Sequence, residues 1–230
     1  MLFHPRKRIE AHLLDALDGL LFELTAWKGR RLTPKRLPTD GREHLQLGCG
    51  TSRLEGFVNS DFYSNKSADA GIDARFPLPF DDDTWRGIYA HHVVEHLSYE
   101  DGDLLFRECL RTLKPGGVFR MIVPDLEIFL RLYLAEDAAT RQEIFRLYPP
   151  HAMESFALKT PLEMVDLVFR DNKYNRHLSA WDWETADTRL RDVGFSVVVK
   201  QQVNESIDPK LAGHDKPHWS QFSLYVEAVK

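Results

Sequence analysis

The residues of this 230-residue chain best suited to chemistry are a glycine pair, a set of aspartates and a cluster of histidines. Gly48-Cys49-Gly50-Thr51-Ser52-Arg53 follows the short apolar run His44-Leu45-Gln46-Leu47. A glycine-rich turn at the carboxyl end of the first strand of an open α/β sheet is where such folds receive a nucleotide, because glycine lets backbone and ligand approach closely. Arg53 stands where the dinucleotide fingerprint has its third glycine, which weakens the rival reading of an NAD-dependent oxidoreductase, and no Gly-Lys-Ser/Thr follows, so the loop is not a P-loop. A plain strand-to-helix turn is the alternative. Asp61 ends the next short run, Phe57 to Asp61, and a carboxylate there accepts hydrogen bonds from ribose hydroxyls. Asp69 and Asp73 are further acidic candidates, and Asp73-Ala74 precedes the apolar Phe76-Pro77-Leu78-Pro79-Phe80, a setting that suits adenine. Each aspartate also reads as an ordinary turn residue.

His92-Val93-Val94-Glu95-His96 places two imidazoles at an i, i+4 spacing around a carboxylate. Histidine titrates near neutrality and can take a proton from a hydroxyl nucleophile, which makes His92 and His96 the candidate catalytic residues. The same letters match the H-x-x-E-H signature of inverted zinc proteases, with His151, His177, His214 and His218 as chance third ligands. Against a zinc hydrolase, the motif starts at the end of a buried strand. Farther on, Tyr174-Asn175-Arg176-His177-Leu178-Ser179-Ala180-Trp181-Asp182-Trp183 combines aromatic faces with polar groups. Tyr174, Arg176, His177 and Trp181 are therefore the expected acceptor-binding residues, with His214, His218 and Trp219 as a possible rim. A lid packed by its own tryptophans is the competing reading.

The elements that must position these groups alternate in type. Runs at 44–47, 57–61, 87–92 and 118–123 read as strands, 103–113 as a helix stopped by Lys114-Pro115-Gly116-Gly117, and 183–193 as a helix closed by Gly194. Residues 126–148 read as helical and 149–180 as irregular. Two last strands, 195–200 and 222–229, are joined by a loop rather than a helix, which favours antiparallel pairing. The fold expected is α/β: one Rossmann-like doubly wound sheet, mostly parallel, with an antiparallel C-terminal edge. Ahead of it, apolar residues from Ile9 to Trp27 form a helical stripe flanked by basic residues. It reads as a helix packed on the domain, or as one that lies on an anionic surface or lids a site. Residues 1–40 are thus an appendage or lid, and 41–230 the domain, with a substrate-side insertion at 149–182.

Composition narrows the class. Hydrophobic residues at 43% supply a core, and 35 acidic against 30 basic side chains, net charge -5, argue against broad nucleic-acid binding. No apolar run reaches the ~18 residues of a membrane span, and Cys49 and Cys109 alone make no disulfide framework, so a cytoplasmic protein is expected.

Several motifs together resemble the class I S-adenosylmethionine (SAM)-dependent methyltransferases of the compact small-molecule and saccharide-biosynthesis type. They are Leu45-Gln-Leu-Gly-Cys-Gly-Thr51, Gly56-Phe-Val-Asn-Ser-Asp61, Leu78-Pro-Phe-Asp-Asp82, Ile88-Tyr-Ala-His-His-Val-Val-Glu-His-Leu97, Arg111-Thr-Leu-Lys-Pro-Gly-Gly117 and Met121-Ile-Val-Pro-Asp125. The resemblance implies a seven-stranded sheet, SAM as cofactor and S-adenosylhomocysteine as product. It also implies a cofactor site of Leu47, Gly48, Cys49, Gly50, Asp61, Phe62, Asp73, Ala74, Arg75 and His91, with no metal. The activity expected is methyl transfer to a small-molecule or saccharide-like acceptor, at oxygen. A non-catalytic SAM or nucleotide binder is the alternative.

Overall fold

The computed structural model describes residues 16–17, 19–28, 31, 37–62, 66–147, 158–170, 177–216 and 219–230. Seven strands form one sheet: β1 (His44–Leu47), β2 (Phe57–Asp61), β3 (Ala70–Gly71), β4 (Trp85–His91), β5 (Leu113–Pro124), β6 (Val197–Lys200) and β7 (Ser223–Val229). Their order is β3-β2-β1-β4-β5-β7-β6. The first five pair in parallel, and β7 runs antiparallel to both β5 and β6. The strand order reverses beside β1, which with β4 forms the centre of the sheet. Such a switch point opens a crevice at the carboxyl ends of the strands.

Alternation along the strands builds two unlike faces. On one, Leu45, Leu47, Ile88, Ala90, Phe119, Met121 and Val226 join the largest apolar cluster with Leu105 and Phe106 of helix α2 (Tyr99–Thr112) and Leu190 of helix α6 (Trp183–Val193). The other face carries Tyr89, Val118, Ile122 and Tyr225, covered by Leu211 of a single 3-10 turn. Arg120 and Glu227 share that second face and are fully buried. Arg120 donates to Asp215 Oδ2 at 2.6 Å and to Glu227 Oε1 at 3.0 Å, and to the backbone carbonyls of Glu205 and Gln202. The Tyr89 hydroxyl, kept protonated by burial and by the neighbouring Asp215 charge, donates to Asp215 Oδ1. A buried guanidinium between two carboxylates thus pins the long 201–216 connection to the sheet.

Helix boundaries follow local chemistry. Ser98 caps α2 by accepting from Asp101 N, and Asp182 caps α6 by accepting from Thr185 N. Gly194 ends α6 at φ 117°, a conformation that favours glycine. The helical stretch expected over 126–148 is broken into α3 (Leu126–Tyr133), α4 (Ala138–Gln142) and a 3-10 turn at Glu143–Arg146. The segment expected to be irregular holds a further helix, α5 (Pro161–Arg170). Phe129, Ile144, Met164, Val168 and Phe222 tie these pieces into a satellite cluster.

Residues 19–28 form helix α1, while the start of the expected N-terminal helix lies outside the described residues. Its apolar stripe does not all pack on the domain: Leu20, Leu21, Leu24 and Trp27 are each half exposed, and Ala26 is buried. What α1 does touch is a corner of the sheet. Phe22 stacks on Phe62 with centroids 4.5 Å apart, and Glu23 accepts from Arg75 at 2.6 Å. No helix among the described residues is long and apolar enough to cross a membrane.

Candidate active site

The loop after β1 is built for close approach. Gly48 and Gly50 both have positive φ, 64° and 54°. A Cβ on Gly48 would stand 2.3 Å from Val93 Cγ2, whereas one on Gly50 would meet nothing within 4 Å. The first glycine is therefore required by packing against the β4 loop, and the second borders open space. Cys49 N donates to Ser60 O at 2.9 Å and Gly50 N donates to Asp61 Oδ2 at 2.7 Å, so the loop is tied to the end of β2. Cys49 is buried, and burial, with Asp61 nearby, pushes its thiol up to about 11, leaving it protonated and unreactive at neutral pH. Leu47, the last residue before the loop, is buried.

Asp61 and Phe62 form the next wall, and Asp73 and Arg75 a third. Arg75 grips Asp73 through Nε and Nη2, both at 3.0 Å, while Nη1 reaches Glu23. Its guanidinium carbon lies 5.1 Å from the Phe22 ring centroid and 5.8 Å from that of Phe62. Asp73 thus holds Arg75, and Arg75 holds α1 over this wall; Ala74 packs against the main core. Asp69 points elsewhere. It accepts from Asn59 N and pairs with Arg42 and Arg53; burial raises its pKa, but these donors outweigh it and the net shift is downward. It staples the base of β2.

His91 ends β4. Burial, reinforced by His92 alongside, pushes its pKa down to about 3, so the ring is neutral at physiological pH.

The i, i+4 helical face expected for His92 and His96 does not form. His92 has φ 54°, and Val94–His96 is a single 3-10 turn. Both nitrogens of His92 face protein groups. Nε2 lies 3.0 Å from Ser223 Oγ, whose own proton goes to Trp219 O, so Nε2 is the donor; Nδ1 lies 3.2 Å from Glu95 Oε1. Its ring packs against Trp219 at 4.4 Å. That geometry positions His92 beside Glu95 rather than presenting it as an open base.

His96 instead meets His177, with ring centroids 4.9 Å apart. The backbone makes this meeting possible: Leu178 N and Ser179 N both donate to Glu95 O, at 2.7 and 3.2 Å. His177 Nδ1 donates to Val168 O at 2.7 Å. Glu95 is 1% exposed. Burial raises its carboxyl, but His92, then His96 and His177, outweigh that and hold it below the usual range.

Of the other expected acceptor residues, Tyr174, Arg176 and His218 lie outside the described residues, as does His151. Trp181 is 1% exposed; its indole N–H donates to Ser179 Oγ, and the ring packs on Tyr99 and Phe106. It is a core residue with no face left for a ligand. His214 lies on the far side of the sheet, against Phe57 and Tyr89. Trp219 does reach the rim through His92.

Residues 58–121, from β2 into β5, match the family described as a methyltransferase domain. Over that stretch the chain carries a methyltransferase domain, of the SAM-dependent kind. Solved structures similar to this methyltransferase include a SAM-dependent methyltransferase from Archaeoglobus fulgidus, 17% identical, covering 91% of this chain and 94% of that one, TM-score 0.46. Another from Mesorhizobium loti is 19% identical over 90% and 98%, TM-score 0.46. A third, from Thermotoga maritima and described as a possible histamine N-methyltransferase, is 16% identical over 96% and 97%, TM-score 0.45. Likenesses this distant carry no argument about acceptor or mechanism. No curated protein sequence matches the chain. The enzyme uses SAM, and its glycine loop fits that group: Gly50 leaves open space where a side chain would stand, beside the Asp61 carboxylate.

Proposed function

We propose that this methyltransferase methylates an oxygen of a small, hydroxylated, saccharide-like acceptor. The observation that supports it most is the polar corner of Glu95, His96 and His177 directly beyond the end of β4, which Val93 packs against the cofactor loop at Gly48. The half-buried imidazoles of His96 and His177 receive and orient a hydroxyl, as an oxygen nucleophile requires, beside the buried Glu95 carboxylate. SAM supplies a methyl group on a sulfonium whose sulfur departs neutral, so the protein mainly aligns nucleophile and electrophile.

The chain's own residues divide that work. Asp61 holds the ribose, and the Gly48–Gly50 backbone lies under the cofactor. Phe62, Asp73, Ala74 and Arg75 flank its adenosine end, and neutral His91 places no like charge near the sulfonium. Helix α1, clasped by the Phe22–Phe62 stack and the Glu23–Arg75 pair, lids that end. The described part of the appendage at 1–40 then serves the cofactor end, and the described part of the substrate-side insertion at 149–182 serves the acceptor.

Incubation with methyl-labelled SAM and a panel of sugars, sugar nucleotides, phenols and amines tests the acceptor class. Label in an ether linkage on a hydroxylated acceptor is expected. Label confined to amines would overturn the proposal.

A further inference from the structure

Glu95 is an anomaly of the buried interior. A carboxylate withdrawn from water costs several kcal/mol unless hydrogen bonds or counter-charges replace its hydration. Yet neither Glu95 oxygen accepts a hydrogen bond from the described residues. His92 Nδ1 lies 3.2 Å from Oε1, within ion-pair range, and leaves Oε2 without a hydrogen bond from the described residues.

Two imidazoles stand on the same spot. Ligand atoms of Glu95, His96 and His177 lie within 4.8 Å of one another. Because His177 Nδ1 carries the proton it donates to Val168 O, its Nε2 holds the lone pair. A backbone carbonyl that fixes the tautomer of a ring in this way is the outer-shell partner that metal-binding histidines commonly have. The backbone bonds from Leu178 and Ser179 to Glu95 O keep the two chain segments in register around the point.

We propose that Glu95, His96 and His177 form a divalent transition-metal site. Two imidazoles and one carboxylate suit Zn²⁺, Mn²⁺, Fe²⁺ or Co²⁺ and leave coordination positions open. Bonds of roughly 2.0–2.2 Å would draw the three ligand atoms together by about an ångström and satisfy the stranded carboxylate. An ion held there would have open positions able to take an oxygen of the acceptor. That last role rests on the O-methylation reading; the site itself does not.

Full-length protein stripped with a chelator is titrated with Co²⁺, then Zn²⁺, and SAM binding is measured on the same samples. One Co²⁺ per chain is expected, with visible absorption bands that Zn²⁺ displaces. His177→Ala, at a partly exposed position, and the isosteric Glu95→Gln should each weaken Co²⁺ at least tenfold while SAM binding persists. Wild-type protein that takes up no stoichiometric Co²⁺, or a His177→Ala variant that binds it equally well, would overturn the site. Stoichiometric Co²⁺ with no methylation of any hydroxyl would keep the site and remove its role toward the acceptor.

Discussion

Arg120→Ala is expected to lower the free energy of unfolding by about 3–5 kcal/mol, because it strands two buried carboxylates at once. Asp215 and Glu227 have fully buried side chains, and each is held by the same guanidinium. Their remaining partners are the Tyr89 hydroxyl, the Asn204 and Ile207 amides and the Gln201 side chain, which donate hydrogen bonds but carry no charge. A loss of that size is a large part of the ~5–15 kcal/mol that holds a typical domain folded. The clamp also fixes the 201–216 connection, which leads to Trp219 and Ser223 against His92, so residual folded protein should show a loosened acceptor side. Urea denaturation of wild type and Arg120→Ala measures the effect. A change under about 1 kcal/mol would mean that the triad contributes no more than a surface pair.

Gly48→Ala and Gly50→Ala should separate, although both glycines have left-handed backbone. An alanine costs about 1–2 kcal/mol in that conformation at either position. At Gly48 the new methyl also collides with Val93, 2.3 Å away, and overpacking adds about 1–3 kcal/mol. Gly50→Ala pays only the backbone term, since nothing lies within 4 Å of the added atom. Its methyl instead occupies the space assigned to the cofactor. Gly48→Ala is therefore expected to lose the more stability, and Gly50→Ala to remain folded with weakened S-adenosylhomocysteine binding. Unfolding midpoints and calorimetric titration of both variants check this, and equal stability losses would contradict the role given to Val93.

The sheet and its principal helices were legible because their signals are local. The run His44–Leu47, the acid that ends β2, and the Gly194 that closes α6 each declare themselves within a few residues. Strand β3 is two residues long and carries no periodicity. Helix α5 did have a signature. Thr160-Pro161-Leu162-Glu163 is a capping box with proline at the first helical position, and Glu163 indeed accepts from Thr160 N. The aromatic and ionisable character of the surrounding stretch masked it.

The site was harder to read where it depends on distant partners. His177 meets His96 across 81 residues of chain, and spacing offers no means of choosing it from ten histidines. Trp181 stood in a segment that reads as a binding surface, but α2 supplies Tyr99 and Phe106 to bury it. Arg120 hides inside an otherwise apolar strand, and both of its acidic partners lie about a hundred residues onward. The i, i+4 reading of His92 and His96 failed because positive φ at His92 and a 3-10 turn replace the α-helix that spacing assumes.

The central claim, that the crevice at the ends of β1 and β2 binds SAM for methyl transfer, is tested most directly by calorimetric titration. SAM and S-adenosylhomocysteine are each titrated into wild-type protein and into Asp61→Ala. One molecule of either should bind per wild-type chain. Loss of two charge-assisted hydrogen bonds should weaken both about a hundredfold in the variant. Wild-type protein that binds neither, or an Asp61→Ala variant that binds both unchanged, would contradict the account.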